Sequence, residues 1–230
     1  MPAQRRPDIA EASIVLVGKF NPAIFQPMWF AVQNLLPREE ALNAEVKVVH
    51  PEVSDFNTDS VHIQVTSDRF MAMTKASSPW LPLTDLVAGT FGVLEHTPVT
   101  AMGLNRHMHF AVASEEEWHR IGDTLVPKEG WNAVLGGRPG LGALMILAER
   151  QDKAGVPLRV ELQPSRRLPK DVFGVFIQTN EHYTATQDAE QARDRESGLK
   201  ELLRVLYDGW ESSQNHAEQV AASIIDWAVK

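Results

Sequence analysis

The alternation of apolar and polar positions carries most of what this chain discloses. Val61-His62-Ile63-Gln64-Val65-Thr66 alternates with period two, as a half-buried strand does, and ends in the turn chemistry of Ser67-Asp68. Val175-Phe176-Ile177-Gln178-Thr179-Asn180-Glu181-His182-Tyr183 echoes the stretch Val61 to Phe70 with one residue fewer. A second echo lies upstream of each. Asn21 to Phe25 and Ser114 to Trp118 both place a capping residue four before an aromatic, and Leu35-Leu36-Pro37 and Leu125-Val126-Pro127 close the two segments. The blocks keep their order, which predicts an internal duplication with Gln64 and Gln178 on equivalent strands.

Period and punctuation place the other elements. Residues 1–12 are polar and hold two prolines, which predicts a loose N-terminal tail. Ser13 to Phe20 is rich in β-branched residues and reads as a strand. Asn21-Pro22 starts a helix, since Asn accepts from free N–H groups and Pro lacks one that would go unused. Pro27 either kinks that helix or begins its regular part, with Met28, Val32, Leu35 and Leu36 inward. Glu45 to His50 is a strand and Pro51 to Asp59 a polar connection. Val61 to Ala76 gives one long or two short strands bent near Ser67-Asp68, and Pro79-Trp80-Leu81-Pro82 ends the run. Thr84 caps a helix with Leu83, Leu86, Val87 and Phe91 inward.

In the second half Pro98 to Ala113 is a long strand. Ser114-Glu115-Glu116-Glu117 is a capping box opening a helix that carries Trp118, Ile121 and Leu125. Gly136 to Gly142 is a flexible loop before a strand Ala143 to Glu149. Gln151 to Gly155 turns into the partner strand Pro157 to Gln163, and Val172 to Tyr183 follows. Leu199, Leu202, Leu203, Leu206 and Trp210 form one helical stripe. Asn215-His216-Ala217-Glu218 reads as a second capped start, followed by Val220, Ile224 and Trp227.

These elements predict an α+β fold made by tandem duplication of a β-α-β-β(β)-α unit, with a mainly antiparallel sheet, helices on one side and extra C-terminal helices. The first repeat spans 13–97, the second 98–213, and 214–230 is a C-terminal helical extension. The repeats form one saddle-like sheet or two similar lobes. The element order resembles the duplicated saddle of TATA-box-binding proteins, a likeness of topology that carries no function.

Composition narrows the classes. The 230 residues suit one large domain or two fused halves of roughly 100 residues each. A 43% hydrophobic content supports a normal core, and 23% charged residues argue against disorder. The net charge of −8 makes wide phosphate contact, and so nucleic acid as a partner, a poor fit. Without cysteine there is no disulfide, thiol nucleophile or thiolate metal site. Nothing approaches the ~20 apolar residues of a membrane span, and Ile14 to Val17 is too short for a signal-peptide core after Arg5 and Arg6. The expectation is a cytoplasmic protein with no membrane partner.

Candidate chemistry is sparse. Gly136 to Gly142 lacks the Gly-Lys-Ser/Thr of a phosphate loop and precedes a strand instead of a helix. No Gly-x-Ser-x-Gly elbow or His-Glu-x-x-His pair occurs. His107 and His109 lie two apart on a strand and so share a face, and His119 follows on the capped helix beside Glu115 and Glu116. Two histidines and a carboxylate suffice for zinc or another divalent ion, the one cofactor the sequence suggests; histidines with a structural or solvated role are the simpler reading. Arg166 and Arg167, between prolines, offer the best local anion contact and otherwise read as a solvated loop.

Ile63 to Phe70, of the form IQxxxDRF, and Met102-Gly103-Leu104-Asn105-Arg106 resemble a sporadically distributed, functionally uncharacterised prokaryotic protein family with a Gln-rich strand ending in Asp-Arg-Phe and a later Gly-Leu-Arg-type strand. The likeness would cover most of the chain, and it transfers no catalytic residue to it. Asn105 stands where that family tends to have Arg. The leading functional expectation is a non-catalytic binding or accessory protein acting on another protein or on itself as a homo-oligomer, with Val220, Ile224 and Trp227 as a contact stripe. The alternatives are a metal-dependent enzyme using His107, His109 and His119, and a nucleic-acid binder using a saddle-shaped sheet.

Overall fold

The computed structural model describes residues 5–74, 81–137, 139–153, 155–185 and 195–230. The fold is α+β. β1 (Ile9–Gly18) leads through a 3-10 turn (Pro22–Ile24) to α1 (Pro27–Val32) and α2 (Arg38–Leu42). A meander follows, β2 (Glu45–His50), β3 (Val53–Asn57), β4 (Val61–Thr66) and β5 (Arg69–Thr74), and then α3 (Leu81–Val93). The later elements are β6 (Val99–Ala111), α4 (Glu115–Leu125), α5 (Glu129–Leu135), β7 (Leu144–Glu149), β8 (Pro157–Pro164), β9 (Gly174–Thr184) and α6 (Arg195–Ala228). Among the described residues nine strands form one antiparallel sheet in the order β2-β3-β4-β5-β1-β6-β9-β8-β7.

The chain divides into two compact units, and β1, β6, β9 and α6 each run through both. The larger comprises residues 11–105 and 181–213. Its strands alternate as the sequence predicts: Val61, Ile63 and Val65 of β4 are buried while His62, Gln64 and Thr66 are half-buried. These residues meet Ile14 and Leu16 of β1, Phe70 of β5, Leu83, Leu86, Val87 and Phe91 of α3, and Leu199, Leu202, Leu206 and Trp210 of α6 in one cluster. Phenylalanines dominate it. Phe70 and Phe91 meet edge-to-face with centroids 5.0 Å apart, and Phe25 lies 5.5 Å from Phe70.

The smaller unit comprises residues 1–10, 106–180 and 214–230. Its core joins Met108 and Phe110 of β6, Ile121 of α4, Leu158, Val160 and Leu162 of β8, Val175 and Ile177 of β9, and Ala217, Ala221, Ile225 and Ala228 of α6. Ser114 caps α4, its hydroxyl accepting from the Glu117 amide at 3.2 Å, and Glu117 Oε2 accepts in turn from the Ala113 amide at 2.9 Å.

Several expectations are corrected. The strand does not wait for Ser13: β1 begins at Ile9, because the Asp8 amide already donates to the His109 carbonyl at 2.8 Å and Arg5 pairs with Glu117 at 3.3 Å. The tail reading for residues 1–4 lies outside the described residues. At α1 the regular helix starts at Pro27, but Val32 is 70% exposed and Phe25 and Phe30 take the inward places. The connection Pro51 to Asp59 contains β3, since Ser54 and Phe56 point inward while Asp55 pairs across to Gln64. Thr84 is a buried residue inside α3, which begins at Leu81. Residues 75 and 76 of the expected strand, 79 and 80 of the expected stop, 138 of the expected loop and 154 of the expected turn lie outside the described residues.

The C-terminal helices are one helix of 34 residues. Asn215 and Glu218 imitate a capping box in mid-helix, where no Gly or Pro interrupts the hydrogen-bond ladder, so 214–230 is not a separate element. The echoed glutamines also part company. Gln64 sits in β4, two strands from β1, whereas Gln178 sits in β9, the immediate neighbour of β6. The two halves share an order of element types, but the sheet does not place these glutamines on equivalent strands.

Candidate functional site

The three histidines of the metal reading are not brought together. His107 and His109 alternate along β6 with Met108 and Phe110, so their side chains leave the sheet on the opposite face. Met108 and Phe110 are the residues that pack with Ile121 of α4, the helix carrying His119. His107 and His109 lie beside the Phe176 ring, at 6.3 and 4.7 Å between centroids, while His119 rests against Trp118 at 5.1 Å and 3.6 Å from Glu115. Among the described residues no group of three His, Asp or Glu is placed to hold a metal ion.

His109 has a structural task. Its Nδ1 lies 2.8 Å from Ser165 Oγ, and that oxygen also accepts from the amides of Arg167 and Leu168, each at 3.4 Å. The buried imidazole thus anchors the turn that follows β8. Arg166 and Arg167 occupy this turn and are exposed.

The stripe Val220, Ile224 and Trp227 is not the face that meets the sheet. Ala217, Ala221, Ile225 and Ala228 take that place; Val220 and Ile224 are half-buried flanks and Trp227 is 57% exposed. Three of these four inward residues are alanines, and Ile225 is the one large side chain among them.

A polar cluster that sequence pattern did not single out lies on β3 and β4. Asp55 Oδ2 accepts from Gln64 Nε2 at 2.7 Å, Asp55 Oδ1 lies 2.9 Å from His62 Nε2, and Lys47 of β2 stands 3.8 Å away. Burial pushes the Asp55 carboxyl up, but the hydrogen bonds from Gln64 and His62 and the charges of His62 and Lys47 outweigh it and hold its pKa below the ordinary value. Antiparallel register explains the meeting, because Asp55 pairs directly with Gln64.

The most unusual surface is the segment from α5 to β7. α5 buries none of its residues. Trp131 is 53% exposed, Val134 79% and Leu135 62%. In β7 Met145 is 52% exposed, Ile146 49% and Leu147 75%. What fixes α5 is its ends. Lys128 Nζ donates to the Gly122 carbonyl at 2.7 Å and to the Val126 carbonyl at the end of α4, and Gly136 closes α5 in the left-handed conformation with φ 64°. The sequence held one signal for this edge: Leu144 to Ala148 is an unbroken apolar run with no period-two alternation, though it borders a sheet.

Comparison with protein-family models and with curated protein sequences gives no match to this chain, so the resemblance drawn from Ile63 to Phe70 and Met102 to Arg106 rests on those residues alone.

Proposed function

We propose that this protein is a non-catalytic binding or accessory protein that acts through protein–protein contact, with α5 and β7 as its contact surface. One observation carries this reading: a helix that buries nothing in its own chain presents Trp131, Val134 and Leu135 to solvent. A seven-residue helix is too short to persist in water by itself, and monomers rarely keep contiguous apolar surface uncovered. Trp131 has the size and rigidity of an interface anchor. The acidic balance of the chain, −8, adds to the case for a protein partner over a phosphate backbone.

Site-specific photo-crosslinking in cells tests this. A photoreactive residue at Val134 should yield discrete protein adducts, and the same residue at Asp208, exposed on α6, should not. A chain that crosslinks to no protein from Val134, or equally from both positions, would remove the surface from consideration.

A further inference from the structure

Strand edges are usually blunted, because an exposed row of backbone N–H and C=O groups will accept another strand. β2, at one border of the sheet, carries such devices. Lys47 sits in its middle, and the register with β3 slips between Val46 and Val48. β7, at the other border, has neither. Its register with β8 runs without a shift from Leu144 and Leu162 to Glu149 and Pro157, and Leu144 to Ala148 contains no charge, proline or glycine. An open, regular, apolar edge is a template for strand addition.

We propose that β7 pairs antiparallel with β7 of a second copy of this chain, about a two-fold axis at Ile146, to form a homodimer. The inference rests on the contact surface proposed above and names its occupant. A two-fold interface requires a strand that complements itself. With Ile146 on the axis, Met145 stands opposite Leu147 of the partner subunit and Leu144 opposite Ala148 of the partner subunit, so apolar meets apolar at each of these pairs. Glu149 falls opposite Ala143 of the partner subunit, and the one charge of the strand meets no like charge. Both copies are acidic, and an uncharged strand is the part of such a chain best suited to meet itself.

The absence of cysteine makes the test direct. Residues facing each other across an antiparallel pair have Cα atoms about 4.5–5.5 Å apart, within the span a disulfide bridges. Full-length Ile146→Cys should oxidise to twice the chain mass of 25.6 kDa under denaturing conditions, while Val46→Cys at the β2 edge should stay single. In sedimentation the unmodified protein should run as a dimer at micromolar concentration, and Ile146→Lys should halve that mass with an unchanged circular dichroism spectrum. Should Ile146→Lys fail to fold, the cysteine pair decides alone. A monomeric unmodified protein, or cross-linking of Ile146→Cys no faster than Val46→Cys, overturns the dimer. The two readings fail separately: photo-adducts from Val134 to a different protein, with a monomeric chain, would keep the contact surface and discard self-pairing.

Discussion

The Arg106 guanidinium, its side chain 2% exposed on β6, is met by the Glu218 carboxylate descending from α6. Burial draws the pKa of this arginine down and Glu218 draws it back up, so the acid offsets part of the cost of holding a cation inside the smaller unit. Arg106 occupies the strand face that Met108 and Phe110 continue, where an apolar residue would be expected from period alone. The pair therefore ties a particular turn of α6 to a particular residue of β6.

Removing the acid should be costly. Glu218→Ala takes away a charge-assisted hydrogen bond to a buried group, a loss of about 1–3 kcal/mol, tempered because the Glu218 side chain is 38% exposed. The urea midpoint should fall with the slope of the transition unchanged. A midpoint that stays in place would show that Glu218 contributes nothing to holding Arg106.

The cap of α4 gives a second expectation. Ser114→Ala deprives the Glu117 amide of its acceptor and should cost about 1 kcal/mol. Glu117 does more, since its carboxylate serves both the Ala113 amide and Arg5. Glu117→Ala should thus lower the unfolding midpoint at least as far as Ser114→Ala, and the reverse order would mean that the box is held from the serine side only.

Legibility of the fold divided along physical lines. β4 and the inward residues of α3 could be read because large apolar side chains recur at the right period, and Ser114 because its partner lies three residues away in sequence. The inward face of α6 beyond Trp210 was not legible in the same way. Ser213, Ala217, Ala221 and Ala228 continue the stripe of Leu199, Leu206 and Trp210, but alanine gives a weak hydrophobic signal, and Val220, Ile224 and Trp227 give a stronger one on a neighbouring face. β2 and β7 read correctly as strands, yet nothing local tells that they border the sheet, which depends on pairing between residues far apart. α5 leaves no pattern in the sequence, because its seven residues meet no core that would impose a period. The histidine grouping failed because sequence proximity joined residues that a strand and a helix carry on different faces.

Asp55 predicts a dependence of stability on pH. Its folded pKa lies below the ordinary 3.8, so the unfolded chain takes up a proton first as the pH falls. The carboxylate's contribution is complete above the unfolded value and disappears as the pH drops through the lower, folded one. Between about pH 5 and pH 3 the unfolding midpoint of the unmodified protein should fall more steeply than that of Asp55→Asn. Parallel curves over that interval would show that the contacts with Gln64 and His62 do not favour the ionised form.

The end of α6 supplies the last expectation. Ala217, Ala221, Ile225 and Ala228 close the core of the smaller unit over Met108, Phe110, Val160 and Ile177. Deleting residues 214–230 exposes those side chains, each worth roughly 1.5–3 kcal/mol when fully buried, and also removes Glu218 from Arg106. A stability of about 5–15 kcal/mol does not survive such a loss in a compact unit. The truncated chain should lose much of its near-ultraviolet circular dichroism, aggregate on concentration and show no cooperative transition for this unit. Trp227→Ala is the contrasting change. Its indole is more than half exposed, so the unfolding midpoint should move by no more than about 0.5 kcal/mol equivalent. A truncated chain that stays folded would mean that these alanines only rest on the sheet, and a large loss from Trp227→Ala would mean that the helix presents a different face to the core.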